Sequence, residues 1–217
     1  MPPKPRFQTE DIIDAAFDIV RKEGWNGLSA RAIAKKLNSS TRPIYSYLES
    51  MKSLEEEIVK KALALFNEYL SLKETGDKWL DQAIGYVRFA IEEKMLFRCI
   101  NDEKHAVLQR KNTREMWEIL RAELANYKPF ENLSQTEVDR IRVMRWIFVH
   151  GIAALINSGW YSSQEIDSEI FLKEMNIKLP DVLNMANHVI YEGFKDKKIF
   201  EKLRIGNHEA PESKPDS

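Results

Sequence analysis

Four basic side chains, Arg31, Lys35, Lys36 and Arg42, lie between Gly24 and Leu48, a stretch with no aspartate or glutamate. Charged residues make up 31% of the chain, so a gap of this length concentrates positive potential locally. A local field of that kind is what a polyanion needs, whatever the whole chain sums to. The stretch closes on "NSSTRPIYSY", which adds hydroxyls at Ser40 and Thr41 and phenols at Tyr45 and Tyr47. An arginine can pair in bidentate fashion with O6 and N7 of guanine, worth about 1–3 kcal/mol of base discrimination. A phenol can pack its ring and still bond a phosphate through its hydroxyl. Pro43 can offer only an apolar contact, such as one to a thymine methyl. The chemistry in view is recognition of phosphates and base edges.

Residues for bond-making chemistry do not assemble. The sequence has no evident nucleophile–base pair, no paired carboxylates at catalytic spacing and no Gly-rich phosphate loop. His105, His150, His188 and His208 are scattered at no ligand spacing, so no metal site is expected, and no cofactor. His150 sits with Gly151 in an apolar run, where a hydrogen-bonded structural histidine is the simpler reading. Cys99 cannot form an internal disulfide; Arg98 beside it could lower its pKa, but a buried inert thiol is the better reading.

The elements that must hold the basic stretch are helical. Apolar residues recur every three to four positions along most of the chain, and Gly and Pro are scarce at eight each. Thr9 can cap a first helix with a stripe through Ile12, Ala16 and Val20 that Gly24 ends. Ser29 caps a short second helix, "ARAIAKK", and Asn38 tolerates the left-handed turn after it. With Ser40 as cap, Thr41, Arg42 and Pro43 open a third helix, where the proline's missing N–H costs little. Tyr45 and Tyr47 then point about 200° apart, so both cannot be core. Ser50 caps a long fourth helix, whose Glu55, Glu56 and Glu57 suit its positive end. Three small helices with a tight turn between the last two make a helix-turn-helix.

Residues Ile12 to Val59 resemble the DNA-binding domain of TetR-family transcriptional regulators. Gly24-Trp25, Ser29, Ile33-Ala34, Ile44-Tyr45 and Leu54 fall in register with the family pattern. Asn38 stands where the family usually has Gly, Leu48 where it has Phe, and Met51 where it has Lys, with Lys52 adjacent. The resemblance implies that Arg42 and Thr41 read bases, and that Tyr45, Tyr47, Ser29, Arg31 and Lys52 contact the DNA backbone. "MRWIFVHGIAALINSG" is similar to the Trp…His-Gly helix that many family members carry near the dimer interface.

The expected fold is all-α. A helix-turn-helix DNA-binding domain (1–54) leads into a larger helical effector-binding and dimerisation domain (55–203), followed by a polar tail (204–217). Residues 1–54 carry nine Lys/Arg against six Asp/Glu, while the remainder carries 24 against 28. In the larger domain helices are expected over 77–100, 114–127, 136–159 and 179–203. Those around 135–158 and 180–200 have broad apolar faces suited to a four-helix interface between two copies. Tyr86, Phe89, Trp117, Trp146 and His150 are candidate effector contacts, with Met95, Phe97, Met144 and Phe148 as further cavity candidates; the effector itself is expected to be small and apolar. No signal segment is evident, and the run Trp146 to Ile156 is too short to cross a bilayer, so a soluble cytoplasmic protein is expected. The reading that follows is a homodimeric regulator of transcription, released as a repressor from palindromic double-stranded DNA by a small effector. The alternatives are a DNA-bound regulator acting through protein partners without an effector and, more remotely, a helical enzyme or carrier.

Overall fold

Helical periodicity and the placement of capping residues account for most of the architecture. The structure, a computed structural model, describes residues 8–47, 50–124, 126–159 and 178–195. The expected tail, His208 and the last turns of the final helix (196–203) lie outside the described residues. Every regular element among those described is helical.

Helix α1 (Thr9–Glu23) buries Ile12, Ala16 and Val20 on its inner stripe. The sequence places its cap at Thr9, but Thr9 is already helical. The N–H of Gln8 donates instead to Asp11 Oδ2 at 2.7 Å, since a carboxylate is the stronger acceptor at a helix N-terminus. Gly24 ends α1 at φ 71°, a conformation that disfavours any side chain. After a short 3₁₀ turn (Trp25–Gly27), α2 (Ala30–Lys36) starts where Ser29 Oγ accepts the Ala32 N–H at 3.1 Å.

Asn38 has φ 48°, the one positive φ at a non-glycine among the described residues. Around it Ser39 N–H reaches the Ala34 carbonyl at 2.8 Å and Asn38 N–H reaches that of Lys35 at 3.1 Å. This is a Schellman closure with asparagine in the usual glycine position. It turns the chain into α3 (Thr41–Tyr47), which anchors inward through fully buried Ile44.

Helix α4 (Met51–Leu70) is capped by Ser50, whose Oγ accepts the Ser53 N–H at 3.0 Å. At 1.5 Å per residue it is about 30 Å long and runs unbroken across residues 54 and 55. Its Leu54, Ile58 and Ala62 lie in one continuous core with α1, while Phe66 and Leu70 extend that core into the rest of the chain.

The helix expected over 77–100 is two helices, α5 (Lys78–Glu92) and α6 (Lys94–Ile100). The break falls at Glu93, whose backbone is outside the helical region at φ −110°, ψ 47°. Its side chain is 6% exposed and takes both ends of the Arg21 guanidinium of α1, with Arg21 Nε to Oε2 at 2.7 Å. A continuous amphipathic pattern cannot reveal a break whose partner lies 72 residues away. The turn lets α6 pack on α1, α4 and α5 together.

Helices α4 and α5 meet at Gly85, where a Cβ would lie 2.0 Å from the Tyr69 carbonyl oxygen. The remaining described α-helices are α7 (Ala106–Glu123), α8 (Gln135–Ser158) and α9 (Leu179–Lys195), with 3₁₀ turns at Glu103–His105 and Lys128–Phe130. Helix α7 starts eight residues before the expected 114, at Ala106. Helix α8 starts at a capping box in which Ser134 Oγ accepts the Glu137 N–H and Glu137 Oε2 accepts the Ser134 N–H at 2.8 Å. It packs mainly on α5 and α9.

Candidate nucleic-acid interface and effector cavity

The acid-free stretch folds into α2 and α3, which pack on each other, and α4 follows it. Ser29, Arg31, Lys35, Ser40, Arg42 and Lys52 are all exposed, and Thr41 is half-buried at the first position of α3. Among the described residues no carboxylate pairs with Arg31, Lys35, Arg42 or Lys52, whereas Lys36 is held by Asp18 at 3.0 Å. Lys36 is therefore the cation least available to an outside anion. Tyr45 is 67% exposed, unusual for a large aromatic in a helix whose neighbouring Ile44 is fully buried. Pro43 and Tyr47 belong to α3, but their side chains lie outside the described residues. Met51 and Lys52 occupy the first two positions of α4, so Lys52 reaches solvent from the positive end of that helix.

A second feature lies between α4, α5, α7 and α8. There a cavity of about 290 Å³ is walled by Leu70, Tyr86, Trp117, Leu120, Trp146 and Val149, with Gln82, Arg142 and Arg145 among its polar groups. This is close to the lower end of ordinary ligand pockets, about 300–1,000 Å³. Of the expected contacts, Tyr86, Trp117 and Trp146 line it. His150 stands one layer behind. Its Nδ1 is 2.7 Å from Tyr86 Oη, and its ring stacks on Trp146 at 5.5 Å between centroids. Burial lowers the pKa of His150, which favours the neutral ring.

Phe89 lies elsewhere. It is fully buried against Phe66 and Tyr69, with centroids at 4.9 and 5.4 Å, and belongs to the α4–α5 core. Phe97 is core as well, and Met95 packs beside Gly24. Met144 and Phe148, expected near a cavity, face outward instead at 50% and 39% exposure. With Ile147 and Leu155 they form an apolar stripe along α8, and Met185 and Val189 extend exposed apolar surface onto α9.

These geometries agree with what the chain resembles. Over 96 residues it is 32% identical to an uncharacterised HTH-type transcriptional regulator, YobS, of Bacillus subtilis, covering 42% of this chain and 50% of that one. Over 74 residues it is 30% identical to the class D tetracycline repressor protein of Escherichia coli and to the class H protein of Photobacterium damsela subsp. piscicida, covering 34% of this chain and of each relative. The crystal structure of a transcriptional regulator from Rhodococcus sp. Rha1 superposes with a TM-score of 0.60, over 86% of this chain and 97% of that one, at 15% identity. The fold is of the TetR type. No family model matches the chain, and it spans from about a third to half the length of these curated relatives.

Within this TetR-type fold, sequence reasoning missed the two arginines of the cavity. Arg142 is 3% exposed, stacks over Trp117 at 4.1 Å, and donates to the Trp117 carbonyl at 2.7 Å and to Asp139 at 3.3 Å. Arg145 lies over the Trp79 ring at 3.5 Å and donates to the Trp79 carbonyl at 2.6 Å. Their signal was legible in "RIRVMRWIF": charges three residues apart, turned to the inner side of an otherwise apolar helix. Cys99 resolves plainly. It is 1% exposed, and burial, with help from Asp102 and Glu55, pushes its thiol up to about 12, so Arg98 does not activate it. Among the described residues no cluster of ligating side chains could hold a metal, and no helix is long and apolar enough to cross a membrane.

Proposed function

We propose that the chain acts as a homodimeric, sequence-specific DNA-binding regulator of transcription, a repressor released from a palindromic operator by a small molecule. The observation that carries this reading is the exposed surface of α2 and α3, where Arg31, Lys35 and Arg42, with no ion-pair partner among the described residues, accompany the outward Tyr45. Helix α3 enters the major groove with Thr41 and Arg42 toward base edges, while Ser29, Tyr45 and Lys52 hold phosphates. The apolar stripes on α8 and α9 are the surface a second copy covers, and two-fold symmetry then makes the operator a palindrome with half-sites about 34 Å apart.

The cavity favours an effector over regulation through protein partners alone. Leu70 at the last turn of α4 forms part of its wall, and the first turn of the same unbroken helix follows α3 directly. A ligand that moves Leu70 therefore tilts a rigid rod about 30 Å long whose far end carries the reading head. The ligand acts only through its difference in affinity between the DNA-fitting and DNA-misfitting states.

The test is a gel-shift series on DNA from upstream of the protein's own gene, at fixed low salt. The wild-type protein retards this DNA. Arg42→Ala loses roughly five- to 150-fold in discrimination at one base pair of each half-site, and Tyr45→Phe weakens binding to all sequences alike. Absence of retardation by the wild type at low salt overturns the reading.

A further inference from the structure

The cavity contains a charge that no described carboxylate pairs with directly. Arg145 lines it, and among the described residues no carboxylate lies within salt-bridge distance of its guanidinium. Two of its nitrogens are occupied, one by the Trp79 carbonyl at 2.6 Å and one by Gln82 Oε1 at a long 3.4 Å. Its Nε is closed off from solvent and has no acceptor among the described residues. Asp77, the acid that partly offsets its charge, already accepts the Tyr127 hydroxyl at 3.0 Å and the Trp79 N–H at 2.8 Å. Arg142, three residues away, adds a second positive charge; its ion-pair partner Asp139 also binds Arg121. Burial, then repulsion from Arg142, pushes the Arg145 pKa down to about 9, which still leaves it charged at neutral pH.

A guanidinium held this way normally costs the fold unless an anion meets it, and its planar fork is shaped for carboxylate oxygens. The rest of the wall is suited to a different part of a molecule. Trp117, Trp146, Tyr86, Leu120 and Leu70 present rings and aliphatic carbon, surfaces for a flat or extended apolar body. One unmatched charge in such a setting suits a single negative group better than a doubly charged phosphate.

We propose that the effector is a small amphipathic carboxylic acid, bound as its anion with the carboxylate on Arg145 and the apolar body between Trp117, Trp146 and Tyr86. The expected apolar effector thus becomes an apolar body with an anionic head. The inference rests on the reading of this cavity as the effector site, and its test is made without DNA so that the two can fail separately. Trp146 also joins the cavity to the exposed side of α8, so the ligand lies beside the face assigned to the second copy.

The experiment titrates the full chain by calorimetry with benzoate, 2-naphthoate and octanoate, each against its own primary amide. At least one carboxylate is expected to bind at least tenfold tighter than its amide, the minimum for a hydrogen-bonded charge. Arg145→Met should abolish that preference; Arg145→Lys, which keeps the charge but loses the fork, should retain part of it. If Arg145→Met does not fold, the wild-type carboxylate–amide pairs and Arg145→Lys decide. Amides binding as tightly as acids, no carboxylate binding, or an undiminished preference in Arg145→Met or Arg145→Lys each overturns the inference.

Discussion

Gly85→Ala is the substitution whose outcome the packing fixes most sharply. In the middle of an isolated helix, alanine for glycine would stabilise by about 1 kcal/mol. Here the added Cβ would stand 2.0 Å from the Tyr69 carbonyl oxygen, 2.7 Å from its carbon and 3.3 Å from the Leu70 Cα. All three are backbone atoms of α4, so no side-chain rotation relieves the clash. Helices α4 and α5 must part by roughly 1 Å, which loosens the Phe66–Phe89 contact packed between them. Overpacking of this kind costs about 1–3 kcal/mol and occasionally more. Taking the upper part of that range and subtracting the propensity gain leaves a net loss of about 2 kcal/mol. For a chain of this size the melting temperature should fall by about 4–8 °C. Thermal unfolding followed by circular dichroism reads this directly. Because Ala83, Tyr86 and Leu70 flank the contact and line the cavity, ligand affinity should fall with it. A variant that melts at or above the wild-type temperature would refute the close approach of α4 and α5.

Two further outcomes follow from buried polar groups. Arg21→Met strands the Glu93 carboxylate at 6% exposure, and since 47% of the Arg21 side chain is exposed, the loss should be about 2 kcal/mol rather than the 3–5 kcal/mol of a wholly buried pair. Adding Glu93→Leu to that variant should recover stability in urea unfolding, and a double variant weaker than the single one would show that the pair is not the cause. His150 has its pKa lowered by burial, so the unfolded chain takes up its proton first as pH falls. Its contribution is therefore whole above the ordinary imidazole pKa of about 6.5 and is lost below it. Between pH 7.5 and 5.5 the wild type should lose more melting temperature than His150→Gln, and parallel curves for the two would exclude the effect.

The N-terminal architecture was legible because its signals are local. Ser29, Asn38 and Ser50 each set a helix boundary through contacts within five residues, and asparagine's tolerance of the left-handed region marked the turn. The exposed cations of α2 and α3 were legible for the same reason, as a gap in acidic residues. What stayed hidden depends on distant partners. The kink at Glu93 is tied to Arg21, and Phe89 falls in the core because Phe66 and Tyr69 meet it across α4. Periodicity alone cannot tell a core-facing aromatic from a cavity-facing one. Arg142 and Arg145 left one trace, their three-residue spacing in an apolar run, but arginine on a helix is usually solvated, and the inward turn emerges from the fold.

The chain's single cysteine, shut into the core where α6 packs on α1 and α4, also makes the junction between its two halves measurable. A thiol this buried reacts with a soluble disulfide reagent only when its surroundings open, so its labelling rate counts local opening events rather than global unfolding. Followed with and without DNA or ligand in the otherwise unaltered protein, that rate would time the motion of the junction itself.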